Sequence, residues 1–272
     1  MERKTVDVAG TSASYLSAGN DGPVVLMLHG TYWSRVWQPV MDDLTRASLR
    51  AIAVDLPGLG RSGGELTVET ASIPALANWV VDFLGALHIE EPIFLAGHDI
   101  GGGIAQQMLV DAKVQVRRLA LVNAVSFDSW PAPGVTRFRD PAVAAATTTT
   151  DLLAARRVSV TTVLARPASE AESAEYLDQW TNDRVARSWL ARAGAADSRY
   201  TMALVPQLPA SPVPKLLNRG EDDTFQRVEH AEDFVRRIPG SKLVRIHAAG
   251  HIPTENDPQA VARAMIEFFT EN

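Results

Sequence analysis

Leu95-Ala96-Gly97-His98-Asp99-Ile100-Gly101-Gly102-Gly103 is the stretch from which the rest of this chain can be read. The apolar run Pro92-Ile93-Phe94-Leu95-Ala96 leads in, and Ile104 to Val110 leads out with helical character. A strand that passes into a helix through Gly-x-Asp-x-Gly makes a turn so tight that a Cβ on either flank would clash, so glycine stands on both sides of the centre. The centre of such a turn presents a nucleophile, most often serine. Here it is Asp99. A carboxylate attacks an ester carbonyl poorly but attacks an sp3 carbon bearing a leaving group well, and the product is an ester on the protein itself.

Working outward, short apolar runs alternate with helical patterns. Val24–His29 and Ala51–Leu56 are continuous apolar strands ended by Gly30 and by Pro57-Gly58. Leu76, Val80, Phe83, Leu84 and Leu87 recur at helical spacing within 73–87, and Leu119–Val122 is a further strand. Continuously apolar strands separated by helices predict a parallel sheet covered on both faces. Two short segments, 4–9 and 12–18, predict a hairpin at the sheet edge. The alternation breaks after Asn123. Residues 130–210 are rich in Ala, Thr, Pro and Arg, with helical stretches at 171–180 and 183–193 and a threonine run, Thr147–Thr150, read as a loop. Alternation resumes with strands at 215–217 and 243–246 and helices at 229–238 and 258–269. The expected organisation is therefore an α/β core of residues 1–129 and 211–272, with a helical insertion over 130–210.

Composition bounds the function. The chain has 272 residues, 46% hydrophobic content, a formal net charge of −6 and no cysteine. With no basic block, nucleic acid is not an expected partner. Without cysteine, disulfides and thiolate metal sites are excluded. The charged N-terminus lacks a secretory h-region, and no apolar run has membrane-spanning length, so a cytoplasmic protein that does not engage membranes is the expectation. A homodimer remains open. Gly58-Leu59-Gly60-Arg61-Ser62-Gly63 has the spacing of a dinucleotide fingerprint. It follows the wrong strand, however, and no helix opens after it, so no cofactor is expected. Histidine spacing suggests no metal site.

Asp99 needs partners. His251, in Ala249-Gly250-His251, follows the strand at 243–246, and loops at strand C-terminal ends are where α/β sites gather. Asp223, in Gly220-Glu221-Asp222-Asp223, is the favoured acid to orient it, with Asp222 and Asp128 as alternatives. Backbone amides of Thr31 and Ile100 are candidates to hold an oxyanion.

With these motifs in hand, the chain resembles the α/β-hydrolase superfamily. It is most similar to the branch with an Asp nucleophile, the epoxide hydrolases and haloalkane dehalogenases. The resemblance covers roughly 20–125 and 212–270 and rests on Leu28-His29-Gly30, Asp55–Ser62, Gly97–Gly102, Gly220–Asp223 and Ala249–His251 in order. It implies an Asp99-His251-Asp223 triad, a helical cap, no cofactor and a small apolar organic substrate. For an epoxide it implies a tyrosine proton donor, with Tyr200 preferred and Tyr176 or Tyr32 as alternatives; Tyr32, Trp33, Trp130 and Tyr176 are candidate substrate contacts. The chain departs from the pattern at two positions. Ile100 stands where both subfamilies usually carry Trp, which counts against a dehalogenase, and Tyr32 stands where Pro is common. Epoxide hydrolysis is the expected activity. A dehalogenase using Trp33 or Trp130 for halide, an atypical tailoring enzyme and a non-catalytic ligand-binding protein are the alternatives.

Overall fold

The computed structural model describes residues 1–271. Eight strands form one sheet: β1 (Glu2–Val8), β2 (Thr11–Ala18), β3 (Val24–Leu28), β4 (Arg50–Val54), β5 (Ile93–His98), β6 (Val116–Val122), β7 (Lys215–Gly220) and β8 (Ser241–Ile246). Their spatial order is β1-β2-β4-β3-β5-β6-β7-β8. β2 runs antiparallel to β1 and β4, and the pairs from β4 through β8 are parallel. The edge hairpin turns through Ala9 and Gly10 at φ 50° and 81°, the pair of positive angles that a tight hairpin of correct twist requires.

Every residue of β3 and β5 is buried, because helices cover both faces of the sheet. Ile73–Ala86 starts at Ser72, whose side chain accepts from the Ala75 amide, with Pro74 in the first turn. Its buried residues Leu76, Ala77, Val80, Phe83 and Leu84 form one stripe. Pro258–Thr270 is capped in the same way by Asp257 and buries Val261, Met265, Phe268 and Phe269.

Between β6 and β7 the chain forms helices and short helical turns and no strand. The threonine run departs from its reading as a loop. Thr148 caps the helix Thr149–Leu164 in a reciprocal capping box with Asp151. The Thr-x-x-Asp spacing carried that signal, and the Ala/Thr-rich composition obscured it.

The sheet order explains where a site can form. From β3 the chain moves to β4 on one side, then crosses to β5 on the other, so the carboxyl ends of β3 and β5 flank a topological switch point.

Candidate active site

Asp99 sits in that crevice at φ 54°, ψ −123°, in a region where non-glycine residues are strained. The strain is held from both sides. The Asp99 carbonyl accepts from the Gly102 and Val125 amides at 3.0 and 3.1 Å. A Cβ on Gly97 would lie 2.5 Å from the Gly101 carbonyl, and one on Gly101 would lie 2.3 Å from that of Leu28. The flanking glycines are thus a steric requirement of the turn.

The next strand over supplies an amide. Thr31 N–H donates to Asp99 Oδ2 at 3.0 Å. The Gly30–Thr31 peptide is fixed in this direction from its other side, because the Gly30 carbonyl accepts from His29 Nδ1 at 2.8 Å and from Arg192 Nη1 at 2.7 Å. In a planar trans peptide C=O and N–H point oppositely, so gripping the carbonyl aims the amide at Asp99. Ile100 opens the helix Ile100–Asp111, which leaves its N–H without an intrahelical acceptor, and its side chain lines the cavity above Asp99.

His251 arches back over the sheet from the loop after β8. Its Nδ1 donates to Asp223 Oδ2 at 2.9 Å, and its Nε2 lies 3.9 Å from Asp99 Oδ2. His98 Nε2 donates to the His251 carbonyl at 2.7 Å and fixes the loop from below. Asp223 also takes Asn123 Nδ2 at 2.7 Å and, through Oδ1, the amides of Phe225 and Gln226 at 2.8 and 3.0 Å. Asp222 and Asp128 are exposed, so neither alternative acid reaches the imidazole. Asn123 ties three loops together: besides Asp223 it donates to the Gly250 carbonyl and accepts from the Gly220 amide.

The electrostatics follow from this geometry. Burial alone would lower the His251 pKa, but the carboxylates of Asp223 and Asp99 reverse that and raise it to about 10. Burial likewise works against the Asp99 anion. The His251 imidazolium 3.9 Å away, with smaller help from His98 and the Thr31 amide, holds its carboxyl well below the usual range. The resting arrangement is therefore an imidazolium between two carboxylates. His29 and His98, buried and pushed down to about 4, stay neutral and serve as hydrogen-bonding struts.

A cavity of about 280 Å³ opens above Asp99, at the small end of ligand sites. Thr31, Tyr32, Asp99, Ile100, Trp130 and His251 all line it. The other expected contacts lie elsewhere. Tyr200 is outside the lining, and its hydroxyl is engaged by Arg199 at 3.0 Å. Its helical turn, Arg199–Ala203, is anchored by the buried Thr201, which receives the Trp130 indole N–H at 2.7 Å, and the adjacent residue projects about a quarter-turn away. Tyr176 is buried behind the cavity, donating to Glu255 at 2.6 Å and packing edge-on against Tyr32 at 5.3 Å. Trp33 lies between the guanidinium groups of Arg3 and Arg61, at 5.3 and 5.2 Å, away from the cavity. The tyrosine that reaches the site is Tyr32, whose hydroxyl is 3.2 Å from Ser159 Oγ.

Sequence reading missed Arg156, Ser159 and Val163, which reach the cavity from one face of the helix Thr149–Leu164, and missed Arg192. Gly58–Gly63 closes on itself through a Gly58–Gly63 hydrogen bond of 2.8 Å and wraps the buried Asp55 carboxylate, with no helix behind it to meet a pyrophosphate. Among the described residues no cluster of His, Asp and Glu is placed to hold a metal, and no helix is long and apolar enough to cross a membrane.

A family model described as "Alpha/beta hydrolase family" matches residues 25–264. The chain belongs to the alpha/beta hydrolase family. It is 34% identical over 126 residues to a dihydrolipoyllysine-residue acetyltransferase component of the acetoin cleaving system from Cupriavidus necator, matching 44% of this chain and 32% of that protein. It is 30% identical over 125 residues to bifunctional epoxide hydrolase 2 from Sus scrofa, matching 45% of this chain and 22% of that protein. The chain thus spans about a third or less of the length of these curated relatives. The structure superposes on haloalkane dehalogenase DbeA from Bradyrhizobium elkani with a TM-score of 0.85 at 23% identity, covering 98% of this chain and 97% of that one, a likeness of fold.

Proposed function

We propose that this hydrolase opens an epoxide to a diol through an ester on Asp99. The observation that carries the reading is the placement of Asp99 in the strained turn, with Oδ2 on the Thr31 amide, His251 alongside and the Tyr32 hydroxyl on the same cavity. Among the described residues no protein donor engages Oδ1, which leaves that oxygen to attack. The Oδ1–carbon bond forms as the ring C–O bond breaks, and the alkoxide takes the Tyr32 proton. Burial raises the Tyr32 pKa from its ordinary value, so the hydroxyl is protonated at neutral pH and ready to donate.

Esterification removes one of the two carboxylates that hold the His251 proton. The imidazole pKa then falls, and the proton it releases restores Tyr32. Neutral His251, oriented by Asp223, next deprotonates a water that attacks the Asp99 carbonyl carbon. The Thr31 and Ile100 amides stabilise the negative oxygen of the tetrahedral species. Collapse breaks the ester C–O bond, the diol oxygen takes the proton from His251, and ionisation of Asp99 returns a proton to the imidazole. The sum is epoxide plus water giving diol. His251 is thus positively charged while Asp99 attacks and neutral only once the ester exists.

A second reading, release of halide from a haloalkane, is favoured by one feature. Trp189 lines the cavity and its indole N–H makes no hydrogen bond among the described residues, unlike that of Trp130. One experiment tests the shared ester step: a single turnover with excess enzyme on an epoxide panel in 18O water, followed by digestion. The ester route puts the label in the Asp99 peptide and leaves the first diol unlabelled. Label in the diol alone refutes it, and turnover of haloalkanes but not epoxides would select the second reading.

A further inference from the structure

Arg156, half-buried, is unlike the buried Arg192 and Arg219. Arg192 Nη1 donates to the Gly30 carbonyl, and Arg219 donates to those of Gln226 and Ala124. Arg156 makes no side-chain ion pair and donates to no carbonyl, and its Nε, like Arg192 Nη2 and Arg219 Nε, has no hydrogen-bond partner among the described residues. Its guanidinium stacks over Trp189 at 4.3 Å and Trp180 at 5.4 Å. Those rings, at 75° to each other, both pack against the guanidinium, so its terminal N–H groups are the part left to bind. Arg156 lines the cavity wall with Ser159 and Val163, at positions i, i+3 and i+7 of one helix face. The Tyr32 hydroxyl beside it favours its charge, Arg137 disfavours it and Asp99 favours it more weakly, yet no carboxylate lies within ion-pairing distance. A guanidinium withdrawn from water without an anion is costly, and a fork-shaped donor on a cavity wall matches a carboxylate.

We propose that Arg156 forms the anion-binding end of the cavity, and that the substrate is a small organic carboxylate carrying the reactive ring: an epoxy acid rather than a purely apolar epoxide. The class of substrate rests on the ester mechanism above, whereas the anion site does not. The carboxylate pairs with the Arg156 edge, the apolar body lies among Trp130, Val135 and Val163, and the ring reaches Asp99 and Tyr32.

The probe is unreactive hexanoate against hexan-1-ol, titrated by the fluorescence of the cavity tryptophans. Wild type should bind hexanoate about 10- to 100-fold more tightly, the range for hydrogen bonds to charged groups. Arg156→Met, which keeps the stacking bulk, should erase the preference, and Arg156→Lys should retain part of it. Equal binding of the two probes by wild type overturns the proposal, as does a preference that survives in a folded Arg156→Met protein. The wild-type comparison stands even if that variant fails to fold. Should hexanoate be preferred while no epoxide is opened, the anion site holds and the epoxide reading fails. Should neutral epoxides turn over as well as epoxy acids, the ester mechanism holds and the anion site fails.

Discussion

Asp223→Asn separates the two chemical steps. The native carboxylate accepts four donors: His251 Nδ1 and Asn123 Nδ2 on Oδ2, and the Phe225 and Gln226 amides on Oδ1. An asparagine would keep its oxygen on the two loop amides and turn its NH2 toward the other pair. That NH2 then meets two donors. Asn123 can rearrange only by giving up its bond to the Gly250 carbonyl or to the Gly220 amide. His251 has a cheaper escape: it gives up the Nδ1 proton, keeps the one on Nε2, and Nδ1 accepts from the new amide. The imidazole then presents a proton toward Asp99 instead of a lone pair, and it can no longer serve as a base. Where an equivalent acid-to-amide change imposes the wrong tautomer, the loss is roughly 10⁴-fold. Hydrolysis of the ester should fall by about that factor. Alkylation should fall by less than about tenfold, because the Thr31 amide on Asp99 is untouched. Rapid quench and intact-mass measurement would show a variant carrying one substrate mass within a single turnover and holding it. Titration of the His251 ring by NMR would show its pKa dropping from near 10. Should the variant turn over within tenfold of wild type, or lose activity without accumulating the adduct, the assignment of Asp223 as the group that orients the base is wrong.

Tyr32→Phe should slow ester formation from an epoxide by about 10²–10⁴-fold, while Tyr200→Phe stays within about twofold; burst-phase mass spectrometry on both variants compares them directly. The His251 pKa is raised on folding, so its contribution to stability is complete below pH 6.5 and disappears as pH rises through about 10. Denaturant unfolding at pH 6, 8 and 10 should show a loss on the order of a few kcal/mol that is much smaller in His251→Gln, and equal losses in both proteins would contradict the coupling. Thr148→Ala removes the cap of the helix that carries Arg156, and should cost about 1 kcal/mol and raise amide exchange in residues 149–152 before the sheet is affected. An unchanged exchange pattern would show that the cap does not hold that helix.

Where backbone sterics dictate residue type, the sequence was readable. Gly97 and Gly101 flank the turn because a Cβ there would collide with backbone, and a parallel sheet buried on both faces needs the continuous apolar runs of β3 and β5. The order of nucleophile position, acid and histidine followed from the strand order, since each lies in a loop at the same end of the sheet. Choice among neighbours was less accessible. Asp222 and Asp223 are chemically identical and adjacent, and what separates them is the pair of amides at Phe225 and Gln226 that turns one carboxylate inward. The insertion was harder still, because its helices pack against the core and one another through small and mixed residues. Val158 is exposed on the very helix whose Arg156 is drawn inward, the reverse of what an amphipathic stripe would indicate.

The largest change between sequence and structure concerns a tyrosine. A tyrosine near the end of the insertion was expected to face the substrate. Instead Thr201 turns inward to hold Trp130 and Phe127, and the facing hydroxyl belongs to Tyr32 on the loop after β3. At that position a proline, common in the family, could offer neither a hydroxyl nor a backbone N–H. Tyr32 lies one residue beyond the amide that holds Asp99 Oδ2, so on the proposed route one loop presents both an oxyanion donor and an acid. Its ring rests on Tyr176, itself tied to Glu255, and its hydroxyl meets Ser159 beside Arg156. The departure from the family pattern at residue 32 and the unpaired arginine in the insertion therefore belong to one arrangement. On the proposed route the core supplies the groups that react, and the helix Thr149–Leu164 supplies the groups that select what reaches them.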